Sequence, residues 1–142
     1  MPRPDPARLR PASYPHHDII QVRFQDLDVL GHINNVAMAA LFETGRVRFN
    51  QAIALPRERG RRYLIANIEI NYLGEGRLED LAMATGIARI GTRSWTIAAA
   101  AFQRDRCIAT CDATLVQESD AAGAGLADAL RSVLERQLLV QS

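Results

Sequence analysis

The sequence predicts an α+β fold: an antiparallel sheet of five to six strands wrapped around one buried central helix, with a second helix at the C-terminal end. Three observations carry this. Residues 36 to 42 (Val36-Ala37-Met38-Ala39-Ala40-Leu41-Phe42) are apolar without a break, and a helix that is apolar all round is a buried one. Four strand-like segments then follow in series, joined by short turns, which implies an antiparallel meander. Those segments are rich in small residues (Ala82, Ala84, Gly86, Ala88, then Ala98 to Ala101), which suits a sheet curling closely around something bulky.

Size and charge set the bounds. A chain of 142 residues is long enough for one domain with a real core. Seventeen basic residues against sixteen acidic ones give a net charge of +1, which argues against a nucleic-acid binder. All seventeen are arginine, a pattern we attribute to GC-rich coding. No apolar run reaches membrane-spanning length, and the Pro/Arg-rich N-terminus lacks the apolar stretch of a secretion signal. Cys107 and Cys111 sit four apart on one expected strand, roughly 13 Å from each other and too far for a disulfide. With no CxxC spacing and no histidine nearby, no metal is expected, and the location expected is cytoplasmic.

In chain order, residues 1–15 hold five of the six prolines and are expected to form an extended arm, with one domain over 16–142. Ile20, Val22 and Phe24 alternate with polar residues as a first strand. Asn34 or Asn35 is a good N-cap for the apolar helix, which should end near Asn50 or Ile53, before Pro56. Arg57 to Arg62 is a basic loop. Tyr63 to Leu73 is a strand with Ala66, Ile68, Ile70 and Tyr72 on one face and Asn67, Glu69 and Asn71 on the other. Leu81 to Ile90, Ser94 to Gln103 and Arg106 to Gln117 are the next three strands. The last of these should place Ile108, Thr110, Asp112, Thr114 and Val116 on one face. Trp95 and Tyr72 are read as core. Leu126, Leu130, Val133, Leu134 and Leu138 have helical spacing within a final helix over Ala121 to Val140. The exposed sheet edges of one copy imply assembly into at least a dimer.

The candidate site is the stretch before the apolar helix. Asp26 to Asn35 packs two acids, a glycine, a histidine and two asparagines into ten positions. A carboxylate on this loop can serve as base or nucleophile, with Asp28 the first choice and Asp26 the second. Free N–H groups at the helix start carry partial positive charge where an oxyanion would form. Gly31 is either a positive-φ turn residue or a point where substrate meets backbone. His32 orients Asp28, contacts the thioester, or is a hydrogen-bonded structural histidine. Asn34 and Asn35 are helix caps with a secondary role in aligning water. Glu43 is either a buried carboxylate acting on water or the partner of an arginine such as Arg46.

Asp28-x-x-Gly31-His32-x-Asn34-Asn35 at a strand-to-helix junction, with Glu43 eight residues on, resembles the hotdog-fold thioesterases over about residues 18–117. It is most similar to the 4-hydroxybenzoyl-CoA thioesterase-like group, including bacterial long-chain acyl-CoA thioesterases. Around Asp26-Leu27-Asp28-Val29 it also resembles plant acyl-ACP thioesterases. The resemblance implies hydrolysis of a fatty or aromatic acyl-CoA, with Asp28 as base or nucleophile and the helix N-terminus polarising the carbonyl. It implies a site at a dimer interface, in a homodimer or a dimer of dimers. The CoA arm would lie near the Gly91-Thr92 hairpin, with Arg89, Arg93 and Ser94 as candidates; the Arg57 to Arg62 loop is a second choice. No cofactor is implied beyond the CoA of the substrate. The plant enzymes carry asparagine where this chain has Leu30, so their Asp–Asn–His arrangement is incomplete here. The other readings are a non-catalytic hotdog protein that binds acyl-CoA or an acyl ligand, and a dehydratase acting on acyl thioesters.

Overall fold

A computed structural model describes residues 3–57, 60–118 and 125–140. The elements run β1 (His16–Ile20), α1 (Asn35–Ala52), β2 (Tyr63–Tyr72), β3 (Leu81–Ile90), β4 (Ser94–Gln103), β5 (Arg106–Gln117) and α2 (Asp128–Glu135). The five strands form one antiparallel sheet in the order β1-β3-β4-β5-β2. The expected α+β hotdog architecture is therefore present, with five strands.

β4 sits at the centre of the sheet and explains its alanines. Ala99 and Ala101 join Met38, Leu41 and Phe42 of α1 in the main core. Ala98 and Ala100 point to the opposite face, under Tyr14, Phe102 and Leu139. A strand buried on both faces reads as a continuous small-residue run rather than as an alternation. A third cluster joins Phe49, Ile87, Trp95 and Ile97 to Leu126, Leu130 and Leu134, so α2 closes the C-terminal end of α1.

Several expectations need correction. The first strand stops at Ile20, and Phe24 begins a short 3-10 turn with 79% of its surface exposed. The N-terminal arm is not extended: it folds into 3-10 turns at Pro6–Leu9 and Pro11–Ser13 and lies on the outer sheet face, where Arg8 bonds Asp112 at 2.8 Å. α1 is buried on one side only; Met38, Leu41, Phe42, Gly45, Arg46 and Phe49 face the sheet, while Val36, Ala40, Glu43 and Val47 are exposed. A bulge at Ala66 puts Ile65, not Ala66, on the face of Ile68 and Ile70. A second irregularity separates Ile108 from the face of Thr110, and Ile108 joins the core beside Leu81. Tyr72 is not core but 48% exposed. The final helix covers only Asp128–Glu135, Leu138 lies beyond it, and the expected start at Ala121 falls outside the described residues.

Candidate active site

The stretch between β1 and α1 folds as a miniature hairpin. Leu27 and Ile33 form an isolated antiparallel bridge, and residues 28–32 make its loop. Gly31 turns the loop at φ +79°, a conformation that L side chains rarely adopt. The hairpin is moored at two points. Asn34 donates its N–H to the Asp26 carbonyl at 2.8 Å, and Ile33 donates to the Gly76 carbonyl at 2.8 Å. Gly76 allows that approach, because a Cβ there would stand 2.5 Å from Ile33 Cδ1.

The two aspartates have separate duties. Asp26 is buried, accepts the Arg23 backbone N–H at 2.8 Å and receives Arg23 Nη2 at 3.0 Å. Burial alone would raise its pKa; the Arg23 side chain and amide outweigh that and hold it below the ordinary carboxylate value. Asp28 is exposed. Its Oδ1 accepts the N–H groups of Leu30 (2.9 Å) and His32 (3.1 Å), closing an Asx-type turn. Its Oδ2 has no hydrogen-bond partner among the described residues. A cleft of about 490 Å³ lies beside it, lined by Phe24, Leu27, Asp28, Val29 and Gly31.

The helix start is open. Asn34 is the N-cap, and its Oδ1 accepts the Val36 N–H at 2.7 Å. The neighbouring amides of Asn35 and Ala37 donate to nothing among the described residues, as expected of a first helical turn. Asn35 is the first helical residue, and its carbonyl accepts Tyr72 Oη–H at 3.0 Å.

Asp28, Gly31 and His32 are joined in one loop by hydrogen bonds, and Asn34 and Asn35 follow it at the start of α1. The His32 ring makes no hydrogen bond to the Asp28 carboxylate among the described residues, and its Nε2 lies 3.1 Å from Glu75 Oε2. Glu43 is exposed two turns into α1 rather than buried, and it is not paired with Arg46. Arg93 and Ser94 stand elsewhere. β3 begins beside Ile20, near the motif, and ends near Phe49, so the β3–β4 hairpin is about 30 Å from the motif end of the sheet. There Leu126 donates to the Thr92 carbonyl at 2.9 Å and Arg131 Nη2 to the Gly91 carbonyl at 2.9 Å. Arg93 Nη2 is buried there without a hydrogen bond among the described residues. Within one chain these residues do not meet Asp28. In the basic loop, Arg61 Nη1 donates to Gln117 Oε1 and to the Gly125 carbonyl, both at 3.0 Å, and residues 58–59 fall outside the described set.

Sequence reasoning missed Glu75, Tyr72 and the apolar rim of the cleft. Glu75 sits in a glycine-flanked turn with no local signal. Phe24 and Val29, which line the cleft with Asp28, are 79% and 102% exposed, and Leu30 on the same loop and Val36 at the helix start are 75% and 79% exposed. Their apolar character was visible, but not their outward direction. Both cysteines are free, and burial pushes each thiol up to about 11. No cluster of three metal-ligating side chains occurs among the described residues, and no helix among them is long and apolar enough to cross a membrane.

A family model described as the thioesterase-like superfamily matches residues 22–132. Among solved structures, the PA5185 protein of Pseudomonas aeruginosa PAO1 superposes with a TM-score of 0.78 at 22% identity, covering 94% of this chain and 98% of that one. A predicted thioesterase from Bacillus stearothermophilus is 27% identical, with a TM-score of 0.74 over 89% of this chain and 98% of its own. A thioesterase from Thermus thermophilus, solved with coenzyme A and Zn, is 26% identical, with a TM-score of 0.74 over 87% of this chain and 94% of its own. No curated protein matches the sequence.

Proposed function

Because the chain belongs to the thioesterase-like superfamily, we propose that it is an acyl-CoA thioesterase that hydrolyses a fatty or aromatic acyl-CoA to the free acid and CoA. One observation carries this reading. Asp28, whose Oδ2 accepts no hydrogen bond among the described residues, lines a cleft with Phe24, Leu27, Val29 and Gly31 on the loop that leads into α1.

The chemistry follows from those groups. The thioester carbonyl oxygen lies against the Asn35 and Ala37 amides, where the helix dipole stabilises the charge that develops on it. Asp28 Oδ2 takes a proton from water as the water adds to the carbonyl carbon, or adds to that carbon itself, in which case loss of the thiolate leaves an acyl-aspartate anhydride that water then hydrolyses to the free acid and Asp28. The tetrahedral intermediate then collapses by breaking the C–S bond, and the CoA thiolate leaves. Oδ1 stays on the Leu30 and His32 amides throughout, which fixes the direction of Oδ2. Phe24, Val29 and Leu30 suit an apolar acyl group. Arg93 and Ser94 remain candidates for the CoA arm only if a second subunit brings them to this cleft.

The expected assembly is a homodimer or a dimer of dimers. The edge strand β2 supports this, since it exposes Leu64, Ile65, Ile68 and Tyr72. Free, buried thiols are compatible with a cytoplasmic location.

The test is thiol release from a panel of acyl-CoAs spanning short, long and aromatic acyl groups. Turnover of at least one, abolished in Asp28→Asn, supports the reading. Tight binding of acyl-CoA without turnover of any replaces it with an acyl-CoA-binding role.

A further inference from the structure

A polar pocket of about 250 Å³ lies at the motif end of the sheet, lined by Glu75, Arg77, Glu79, Gln103, Arg104 and Arg106. Glu75 joins it to the Asp28 loop. The Glu75 carboxylate lies 3.1 Å from His32 Nε2, and its carbonyl accepts Arg106 Nη2 at 3.2 Å. The next residue, Gly76, accepts the Ile33 N–H.

Three of the lining residues are arginines, and the two acids do not neutralise all of them. Glu79 takes Arg104, through Nε at 3.1 Å and Nη2 at 2.6 Å. Glu75 directs its carboxylate to His32. Arg106 is left with a neutral carbonyl, and the Arg77 guanidinium has no partner among the described residues.

Exposed arginines ordinarily just face water, but two features hold the backbone of this group in place. Gln103 is only 7% exposed, and its amide clamps the segment that carries Arg77. Its Oε1 accepts the Arg77 N–H at 2.9 Å, and its Nε2 donates to the Arg77 and Glu79 carbonyls at 3.0 and 2.9 Å. The turn between β4 and β5 has positive φ at two non-glycine residues, Arg104 (+52°) and Asp105 (+61°), where Gly or Asn costs less. A side-chain clamp and a strained turn thus fix the pocket before any ligand arrives.

We propose that this pocket binds a phosphate group of the CoA moiety, with Arg77 and Arg106 gripping it from the same chain that carries Asp28. The inference rests on the acyl-CoA reading above. A guanidinium without an anion matches phosphate oxygens, which it holds with two parallel N–H donors. Reach allows the contact. From the thioester sulfur to the first phosphorus, CoA is about as long as four extended residues, roughly 14 Å, and the pocket begins at the side chain that touches His32. Arg93 and Ser94 stand at the far end of the sheet.

The experiment compares wild type with the double variant Arg77→Gln/Arg106→Gln. Both side chains are exposed, so the variant should fold. Its KM for acyl-CoA is expected to rise roughly tenfold with little change in kcat. Acyl-pantetheine, which lacks every phosphate, should be hydrolysed alike by the two proteins. Equal losses on both thioesters, or no loss on either, overturn the pocket. Calorimetric titration with CoA, pantetheine and inorganic phosphate reads the same site without turnover. Wild type should bind CoA roughly tenfold more tightly than the double variant, and pantetheine equally. That result in a chain that hydrolyses no acyl-CoA keeps the phosphate pocket and removes the thioesterase reading. Inorganic phosphate bound as tightly as CoA, and lost in the double variant, makes this a free-phosphate site and overturns the CoA assignment.

Discussion

Asp28 and His32 are joined to each other twice, and neither bond uses the imidazole. The Asp28 N–H donates to the His32 carbonyl at 2.8 Å, and the His32 N–H donates to Asp28 Oδ1 at 3.1 Å. The loop thereby fixes one carboxylate oxygen and leaves the other available. The ring is free to serve a different partner, Glu75.

This separates two substitutions at one position. Asp28→Asn keeps an Oδ1 acceptor for the Leu30 and His32 amides but loses the base. We expect kcat to fall by about 10²–10⁴ with unchanged denaturation midpoints. Asp28→Ala loses the loop's acceptor as well and should also lower stability, by about 1 kcal/mol. Thiol-release kinetics and urea denaturation on both variants check this.

His32 is expected to matter less than Asp28. Its backbone holds the loop whatever the side chain, so His32→Gln should leave the fold intact and lower kcat by less than Asp28→Asn does. Steady-state kinetics of the two variants against one acyl-CoA decide the order; equal losses would put the imidazole in the reaction.

Asn34→Ala removes the acceptor of the Val36 N–H and should cost about 1 kcal/mol of stability. Asn34→Asp retains the cap and should restore it. Chemical denaturation of the three proteins reads both outcomes.

Asp26 makes stability pH-dependent at the acid end. Its folded pKa lies below the unfolded value of 3.8, so its contribution is fully present above that value. It is lost as pH falls through the folded pKa. Asp26→Asn should be less stable than wild type at neutral pH, and the gap should close below about pH 4. A gap of constant size from pH 7 to pH 2.5 would remove the ion pair as its cause.

Gly76→Ala places a Cβ against Ile33 Cδ1 at 2.5 Å and Ile108 Cδ1 at 2.9 Å. We expect a loss of about 1–3 kcal/mol from overpacking. Activity should fall too, because Gly76 moors the hairpin that holds Asp28. Thermal unfolding and kcat measured on the same preparation check both.

Much of the architecture was legible in the residues. β3, β4 and β5 fall where alternation and turns place them, because Gly91-Thr92 and Arg104-Asp105 are strong turn signals and the segments between them bury at least one face. The junction of polar loop and apolar helix was legible for a similar reason: Asn34 caps the first apolar turn. The failures have physical causes. An inserted residue at Ala66 or Ile108 changes which face its neighbours occupy without altering composition. Phe24 continues the apolar alternation of β1, yet Asp26 and Arg23 capture the backbone in a 3-10 turn first. Val36 and Ala40 read as buried because an unbroken apolar run does not show which side of the helix faces the sheet. Arg93 and Ser94 enter as candidates for the CoA arm through the resemblance alone, since a sequence carries no distance along a strand.

The state of the two thiols has a practical consequence. With burial holding both thiols up at about 11, only a small fraction of either cysteine is thiolate at pH 8. A chromogenic disulfide reagent added to follow hydrolysis would therefore report the thiol freed from substrate against a quiet protein background. Continuous assays can run on the unaltered chain, without first replacing Cys107 or Cys111. A slow rise in absorbance before substrate is added would itself signal opening of the packing around Cys107 or Cys111.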